Sequence, residues 1–305
     1  MGVRIGISIS STYRVADQRQ GARHMIDRAK AANVAGLDSL FIGDHHAVPI
    51  PYYQNSPMMG RLLGEWDHRP AGALYLLPLW HPVLLAEQVA TLACIAQGPF
   101  ILQCALGADE YQFQAMSARL RHRPSAFEQS LECIRALWQG EAVSLNSRWQ
   151  FKDVRIAPQP PSPIEVWIGA SADIAIDRAV RLGDVWLAEP GMTLKESAGR
   201  MAVYQDALSR HQKAASRVAI RRDIYVAESS EDASATMDKV RKNGYRGFDP
   251  DALMIGEPAA IAQQIQAFES LGYTDIIIRN LHEDAEKALA STRRLALVKK
   301  LLAET

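Results

Sequence analysis

Short apolar runs and helical patterns alternate along this chain. Eight runs read as strands, at residues 4–8, 40–43, 72–77, 100–104, 165–169, 185–188, 218–226 and 275–279. Between them, Leu85, Val89, Leu92 and Ala96 recur at i, i+4, i+7 and i+11, which is one face of a helix. Phe127, Leu131, Ile134 and Trp138 share a face in the same way, as do Ala175, Ala179 and Leu182, and Ile261, Ile265, Phe268 and Leu271. Pro78 and Pro82 end the third run and start its helix, because proline cannot donate to a strand ladder yet suits a helix's first turn. The second run ends in Gly43-Asp44-His45-His46. Titratable residues at a strand end, and strands feeding helices, suit a parallel barrel whose chemistry lies at strand C-termini. The fold predicted is α/β, a single (β/α)8 TIM barrel covering residues 1–305; an open doubly wound sheet is the alternative.

Three stretches interrupt the rhythm. An insertion at 48–63 follows strand 2 and is rich in Pro, Tyr and Met. A second, at 142–163 after strand 4, contains Trp149 to Ile156, whose period-two alternation predicts a small hairpin. A long loop after strand 7, at 244–258, carries Gly244, Gly247, Pro250, Gly256 and Pro258. Loops of this length on a barrel are commonly lids or substrate walls. No internal repeat is present.

Composition narrows the function classes. The 305 residues are 48% hydrophobic, ample for a large core, and the formal net charge is zero, so nothing favours nucleic acid or an anionic membrane as partner. No apolar run approaches the ~20 residues that span a bilayer. Met1-Gly2-Val3-Arg4-Ile5 enters a strand pattern directly, which argues against a cleaved signal. Cys94, Cys104 and Cys133 are widely spaced without a CxxC, as reduced thiols of a cytoplasmic protein would be.

The candidate chemistry starts at Asp44-His45-His46. Two adjacent histidines on a strand end point opposite ways, so at most one faces the barrel mouth; the bland reading is a surface turn or a satisfied core histidine. No His-x-His or HExxH occurs, so no metal site is expected. Gly169-Ala170-Ser171-Ala172 is a tight turn before a helix: Ser171 or Asp173 could cap it, or its amides could cradle a phosphate. Arg121 and Arg123 precede a helix beginning near Ser125, as surface charge or as an anion contact. No Gly-x-Ser-x-Gly or P-loop occurs, leaving serine hydrolase and NTPase readings unsupported.

In combination these motifs resemble the bacterial-luciferase-like family of flavin monooxygenases and F420-dependent reductases. The resemblance rests on the acidic-His-His end of strand 2, on Leu77-Pro78 and His81-Pro82 after strand 3, and on the helix Ala86-Glu87-Gln88-Val89-Ala90-Thr91-Leu92. It extends from Ile5 to about Trp186 and more weakly to Arg279. It implies a monooxygenase that uses reduced FMN and O2, through a flavin peroxide, to oxygenate a small organic substrate, with a separate flavin reductase as partner. The alternatives it allows are F420-dependent hydride transfer and a non-catalytic flavin-binding subunit. His45 carries over as the catalytic histidine, able to donate to or protonate a flavin peroxide or substrate oxygen.

By the same resemblance, Ala73 and Leu74 flank a non-proline cis peptide beneath the flavin ring, with small Gly72 and Ala73 letting the backbone come close. Cys104 faces either the flavin or the core, and the family's glycine-rich stretch there survives only at Gly107. Arg123 matches an arginine near the flavin phosphate. Gly169, Ala170, Ser171 and Ala172 carry over as the phosphate turn. Trp186, in Gly183-Asp184-Val185-Trp186, either lines the cofactor site or is a core indole. The loops at 48–63 and 244–258 would form the lid. The family's habit of dimerising through the helices after strands 2 and 3 implies a homodimer through residues 52–63 and 82–96, with Glu87 near the interface. Met58, Met59, Leu62, Leu63, Leu84, Leu85 and Val89 would supply its apolar surface.

Overall fold

The computed structural model describes residues 2–215 and 217–304; Met1, at the head of the N-terminal reading, lies outside them. In chain order the elements begin β1 (Arg4–Ile9), α1 (Gln18–Val34), β2 (Ser39–Ile42), α2 (Asn55–Leu62), β3 (Ala71–Leu76), α3 (Pro82–Ile95) and β4 (Phe100–Ala105). They continue α4 (Glu110–Ala115), α5 (Arg123–Trp138), β5 (Val143–Asn146), β6 (Gln150–Val154), β7 (Glu165–Ala170), α6 (Asp173–Leu182), β8 (Val185–Ala188) and α7 (Leu194–Arg210). The last are β9 (Val218–Val226), α8 (Ser230–Asn243), β10 (Met254–Gly256), α9 (Pro258–Ser270), β11 (Asp275–Asn280) and α10 (Ala285–Ala303).

The main sheet runs β10-β9-β11-β1-β2-β3-β4-β7-β8, and β8 also pairs with β9. That last pairing closes eight parallel strands into a (β/α)8 barrel and excludes the open sheet. All eight strands fall on the eight apolar runs of the sequence. The ninth, β10, lies inside the stretch read as loop. Its reason is the length of β9: Val218–Ile220 pair with Trp186–Ala188 of β8, while Ile224–Val226 run beyond that partner. Met254–Gly256 take up the edge there, so its amides and carbonyls are not left unpaired.

The insertion after β2 contains α2, and Thr12 bridges antiparallel to Tyr52 within it. The hairpin predicted around Trp149–Ile156 is β5–β6, antiparallel, with a register shift between Val143 and Leu145. Among the described residues no helix is long and apolar enough to cross a membrane.

Two compact units are distinguished: Ser11–Ala22 with Ile42–Val166 form one, and the remaining described residues the other. In the first, the periodic faces read from the sequence are the buried ones: Leu85, Val89 and Leu92 of α3, and Phe127, Leu131 and Ile134 of α5. In the second, Trp167 packs on Phe41 with ring centroids 5.2 Å apart, and Ile261, Ile265 and Phe268 of α9 are buried. Five of the seven apolar residues offered as dimer surface (Met59, Leu62, Leu63, Leu85 and Val89) are already buried within the chain. Leu84, 47% exposed, is the large side chain of that group left open to solvent.

Gly72 shows why one small residue stands in β3. A Cβ built there would lie 2.3 Å from the Ile101 carbonyl oxygen of β4, so the missing side chain serves strand packing rather than a ring. Gly199, inside α7, has nothing within 4 Å of a built Cβ. Gly72→Ala is therefore expected to lower unfolding free energy by about 3 kcal/mol, since backbone must move to relieve the overlap. Gly199→Ala should raise it by about 0.5–1 kcal/mol through helix propensity and a less flexible unfolded chain. Urea titration of both variants checks this; equal effects of one sign would contradict the packing argument.

Candidate active site

The end of β2 is organised by Asp44, whose side chain is almost wholly covered, at 2% residue exposure. Its Oδ2 accepts from the Leu76 amide at 2.8 Å and from the Trp80 indole Nε1 at 2.9 Å. Its Oδ1 lies 3.2 Å from Nε2 of His46. One carboxylate thus ties the end of β2 to the turn after β3. A buried carboxylate is tolerable only with partners of this kind, which explains an acid in an otherwise apolar neighbourhood.

The two histidines lie beyond the end of β2 and separate in burial. His46 is buried, with its ring against Trp80 at 5.2 Å, whereas His45 is exposed, with its ring edge on Tyr52 at 5.5 Å. Gln112 of α4 connects them. Its Oε1 accepts from the His46 backbone N–H at 3.0 Å, which sets the amide's orientation. The same side-chain amide meets Nδ1 of His45, with Nε2 at 3.0 Å and Oε1 at 3.2 Å, and so fixes the ring through that nitrogen and leaves the His45 Nε2 free of it. Gln112 sits in the first turn of α4, where its own amide donates to the cap Asp109 at 3.0 Å. Nothing in sequence spacing pointed to Gln112, because it lies 67 residues from His45.

The irregular chain after β2 is held by side-chain amides. Gln54 Nε2 donates to the His45 carbonyl at 3.0 Å, and buried Asn55 Nδ2 donates to the Leu74 carbonyl at 2.7 Å. Ser56 Oγ donates to Gln88 Oε1 at 2.6 Å, so the Tyr75 hydroxyl, 2.9 Å away, is the donor to Ser56. Burial pushes the Tyr75 phenol far above its ordinary pKa, keeping it protonated as that donor.

The other sequence candidates fall as follows. Ala73 is buried and Leu74 half-buried, and their peptide is trans; among the described residues the cis peptide bond is Ala157–Pro158. The cis bond implied by the resemblance is thus corrected. The β3–β4 ladder runs without a break through Ala73↔Leu102 and Leu74↔Gln103, and the trans form is the default for a non-proline bond. Cys104 is fully buried beside Tyr75 in that ladder, which is the core placement. Arg123 is half-buried and is itself the first residue of α5, two residues earlier than the helix start read from the sequence. A cleft of about 350 Å³ beside it is lined by Pro78, Arg119, His122 and Arg148, but not by Arg123.

In the other unit, Gly169 and Ala170 end β7, and Ser171 and Ala172 are exposed. The N-cap of α6 is Ala172, with no side-chain capping bond, so neither Ser171 nor Asp173 caps it. Asp173 instead pairs with Arg200 at 2.6 Å. Trp186 is 1% exposed and stacks on Tyr204 of α7 at 5.0 Å. Its Nε1 donates to the Ala170 carbonyl at 2.9 Å. It is a core indole that braces the turn from behind, the side chain lying between strand and helix.

Comparison with known proteins gives the family. The chain is 24% identical over 311 residues to the flavin-dependent trigonelline monooxygenase, oxygenase component, of Acinetobacter baylyi, covering 86% of this chain and 85% of that protein. It is 26% identical over 193 residues to an F420-dependent glucose-6-phosphate dehydrogenase of Beutenbergia cavernae, covering 59% and 56%. Among solved structures it superposes, at TM-score 0.79, 18% identity and 97% of each chain, on the oxygenating constituent of 3,6-diketocamphane monooxygenase from Pseudomonas putida in complex with FMN. A family model described as luciferase-like monooxygenase matches residues 3–275, and the chain belongs to that family.

Proposed function

We propose that this protein is the oxygenase of a two-component pair. It takes reduced FMN from a separate flavin reductase and uses O2 to oxygenate a small organic substrate. The observation carrying this reading is the reach of the similarity: 86% of the chain aligns with a flavin-dependent oxygenase component, against 59% with the F420-dependent enzyme. F420-dependent hydride transfer is the second reading, favoured by that shorter similarity.

The residues suit a flavin phosphate. The uncapped start of α6 after Ser171 and Ala172 leaves amides and the positive helix end for a dianion. Arg123 stands at the start of α5, where the helix dipole disfavours a cation unless an anion is near. Gly169, Ala170, Ser171 and Ala172 would hold the phosphate. Bound reduced FMN would supply the two electrons that reduce one atom of O2 to water as the other enters the substrate. His45 would donate a proton to a developing oxyanion, with Gln112 holding the ring in place through Nδ1. Anaerobic titration with FMN, reduced FMN and F420, followed by oxygen, tests the reading. Oxygen-dependent turnover with reduced FMN supports it, F420 binding alone selects hydride transfer, and flavin binding without turnover leaves a non-catalytic flavin-binding subunit.

His45→Ala is expected to cut turnover by roughly 10²–10⁴, the range for a lost general acid–base group. His46→Ala should cost less, and equal near-wild-type rates would remove His45 from the mechanism. For the phosphate, FMN should bind far more tightly than riboflavin. Ser171→Asp, an exposed change, should weaken FMN but not riboflavin, and unchanged FMN affinity by fluorescence quenching would move the phosphate elsewhere. The homodimer would use the exposed stripe of α3, with Leu84, Glu87 and Ile95. Light scattering at micromolar concentration should give about twice the 33.7 kDa chain mass, and a single-chain mass would refute it.

A further inference from the structure

On β9, alternate residues leave opposite faces, and three charged residues in succession are divided between them. Arg222 turns to one face, where its guanidinium donates to the carbonyls of Pro190, Met192 and Ala252 and lies over Phe268 at 4.6 Å. Those contacts use its Nη donors and its face, while its Nε has no partner. Arg221 and Asp223 share the other face, and their surroundings are not explained by structure alone.

Asp223 is fully buried. Its Oδ1 accepts from Arg221 Nε at 3.2 Å, and its Oδ2 accepts from the Tyr245 hydroxyl at 2.8 Å and from Arg246 Nη1 at 3.3 Å. Arg279 of β11 stands directly opposite Asp223 in the strand register and donates to Ser10 Oγ at 3.1 Å. Its charge, with that of Arg246, bears on Arg221. One carboxylate therefore stands among three guanidinium groups. Arg221 Nη2 is buried with no hydrogen-bond partner, an N–H of a charged group left unsatisfied. Burial lowers the Arg221 pKa to about 10, which still leaves it charged at neutral pH.

The loop that delivers Arg246 is also costly. Arg246 has φ +53°, between Gly244 at φ +71° and Gly247 at φ +72°. Glycine adopts this region freely, but a long side chain there is disfavoured. A residue held in such a conformation, beside like charges, points to a use for its guanidinium. The Arg246 side chain is 37% exposed and that of Arg221 22%, so a small molecule can reach the cluster.

We propose that Arg221, Arg246 and Arg279, set in place by Asp223 and Tyr245, bind the oxyanion group, carboxylate or phosphate, of a small organic molecule. That this molecule is the substrate rests on the oxygenase reading above. Planar guanidinium forks match both oxyanions, and a bound anion would partner the Arg221 N–H and offset the excess of positive charge.

Calorimetric titration of the full chain with benzoate, phenyl phosphate and neutral benzamide tests the site. Benzoate, phenyl phosphate or both should bind saturably, and benzamide should not; which anion is preferred identifies the oxyanion. Arg246→Gly and Arg279→Met should each weaken that binding by roughly tenfold or more, the scale of one charge-assisted contact. Arg246→Gly relieves the backbone and should melt no lower than wild type, which separates lost binding from lost folding. FMN affinity should be unchanged in both variants. No saturable anion binding, or equal anion affinity in wild type and both variants, overturns the proposal. A parallel loss of FMN affinity also overturns it, by giving the cluster to the cofactor phosphate. Anion binding that the variants weaken, in a protein that binds neither FMN nor F420, upholds the site and removes the oxygenase reading instead.

Discussion

The Asp44 carboxylate is the constraint on which the arrangement at the end of β2 depends. A carboxylate with 2% exposure needs polar partners, and Oδ2 takes them from the turn after β3. The Leu76 amide and the Trp80 indole are thereby drawn to the end of β2. His46 follows into the interior beside Oδ1, and His45 is left outward. The exposed histidine thus follows from its buried neighbour Asp44.

Beyond that point the chain has no ladder to satisfy its backbone, and side-chain amides substitute for one. Gln54 takes up the His45 carbonyl, Asn55 the Leu74 carbonyl and Gln112 the His46 amide. Each is a single bond of modest net value, yet each buried group left unmatched would cost more than the bond contributes. Gln112 does a second task with the same group, since it also orients the His45 ring. Structural satisfaction and chemical positioning are therefore the same interaction at this place.

On β9 strand alternation handles charge differently. Arg222 is held by three backbone carbonyls, with its Nε left without a partner. Arg221, one residue away on the opposite face, shares Asp223 with Arg246, and Arg279 stands opposite Asp223 in the strand register. The two neighbouring guanidinium groups thus differ in what holds them, backbone carbonyls for Arg222 and a buried carboxylate for Arg221.

Much of the architecture was legible because strands buried within a parallel barrel appear as continuous apolar runs, and helices as faces of period 3.6. Runs such as 100–104 and 275–279 needed no context. β10 was hidden because three residues flanked by Gly and Pro carry no periodicity; the open edge of β9 created it. Trp186 left two readings open in the sequence, and only the position of Tyr204 decided for the core. Gly72 invited a cofactor explanation until the Ile101 carbonyl was seen in its place. Local pattern carried the succession of the eight barrel strands and the family resemblance, because both depend on residues close in the chain. Only the tertiary contacts set which histidine is exposed, that Gln112 orients it, and that arginines of β9 and a distant loop meet at one aspartate. Those pairings join residues tens to hundreds of positions apart, and no local periodicity encodes a contact that only chain closure creates.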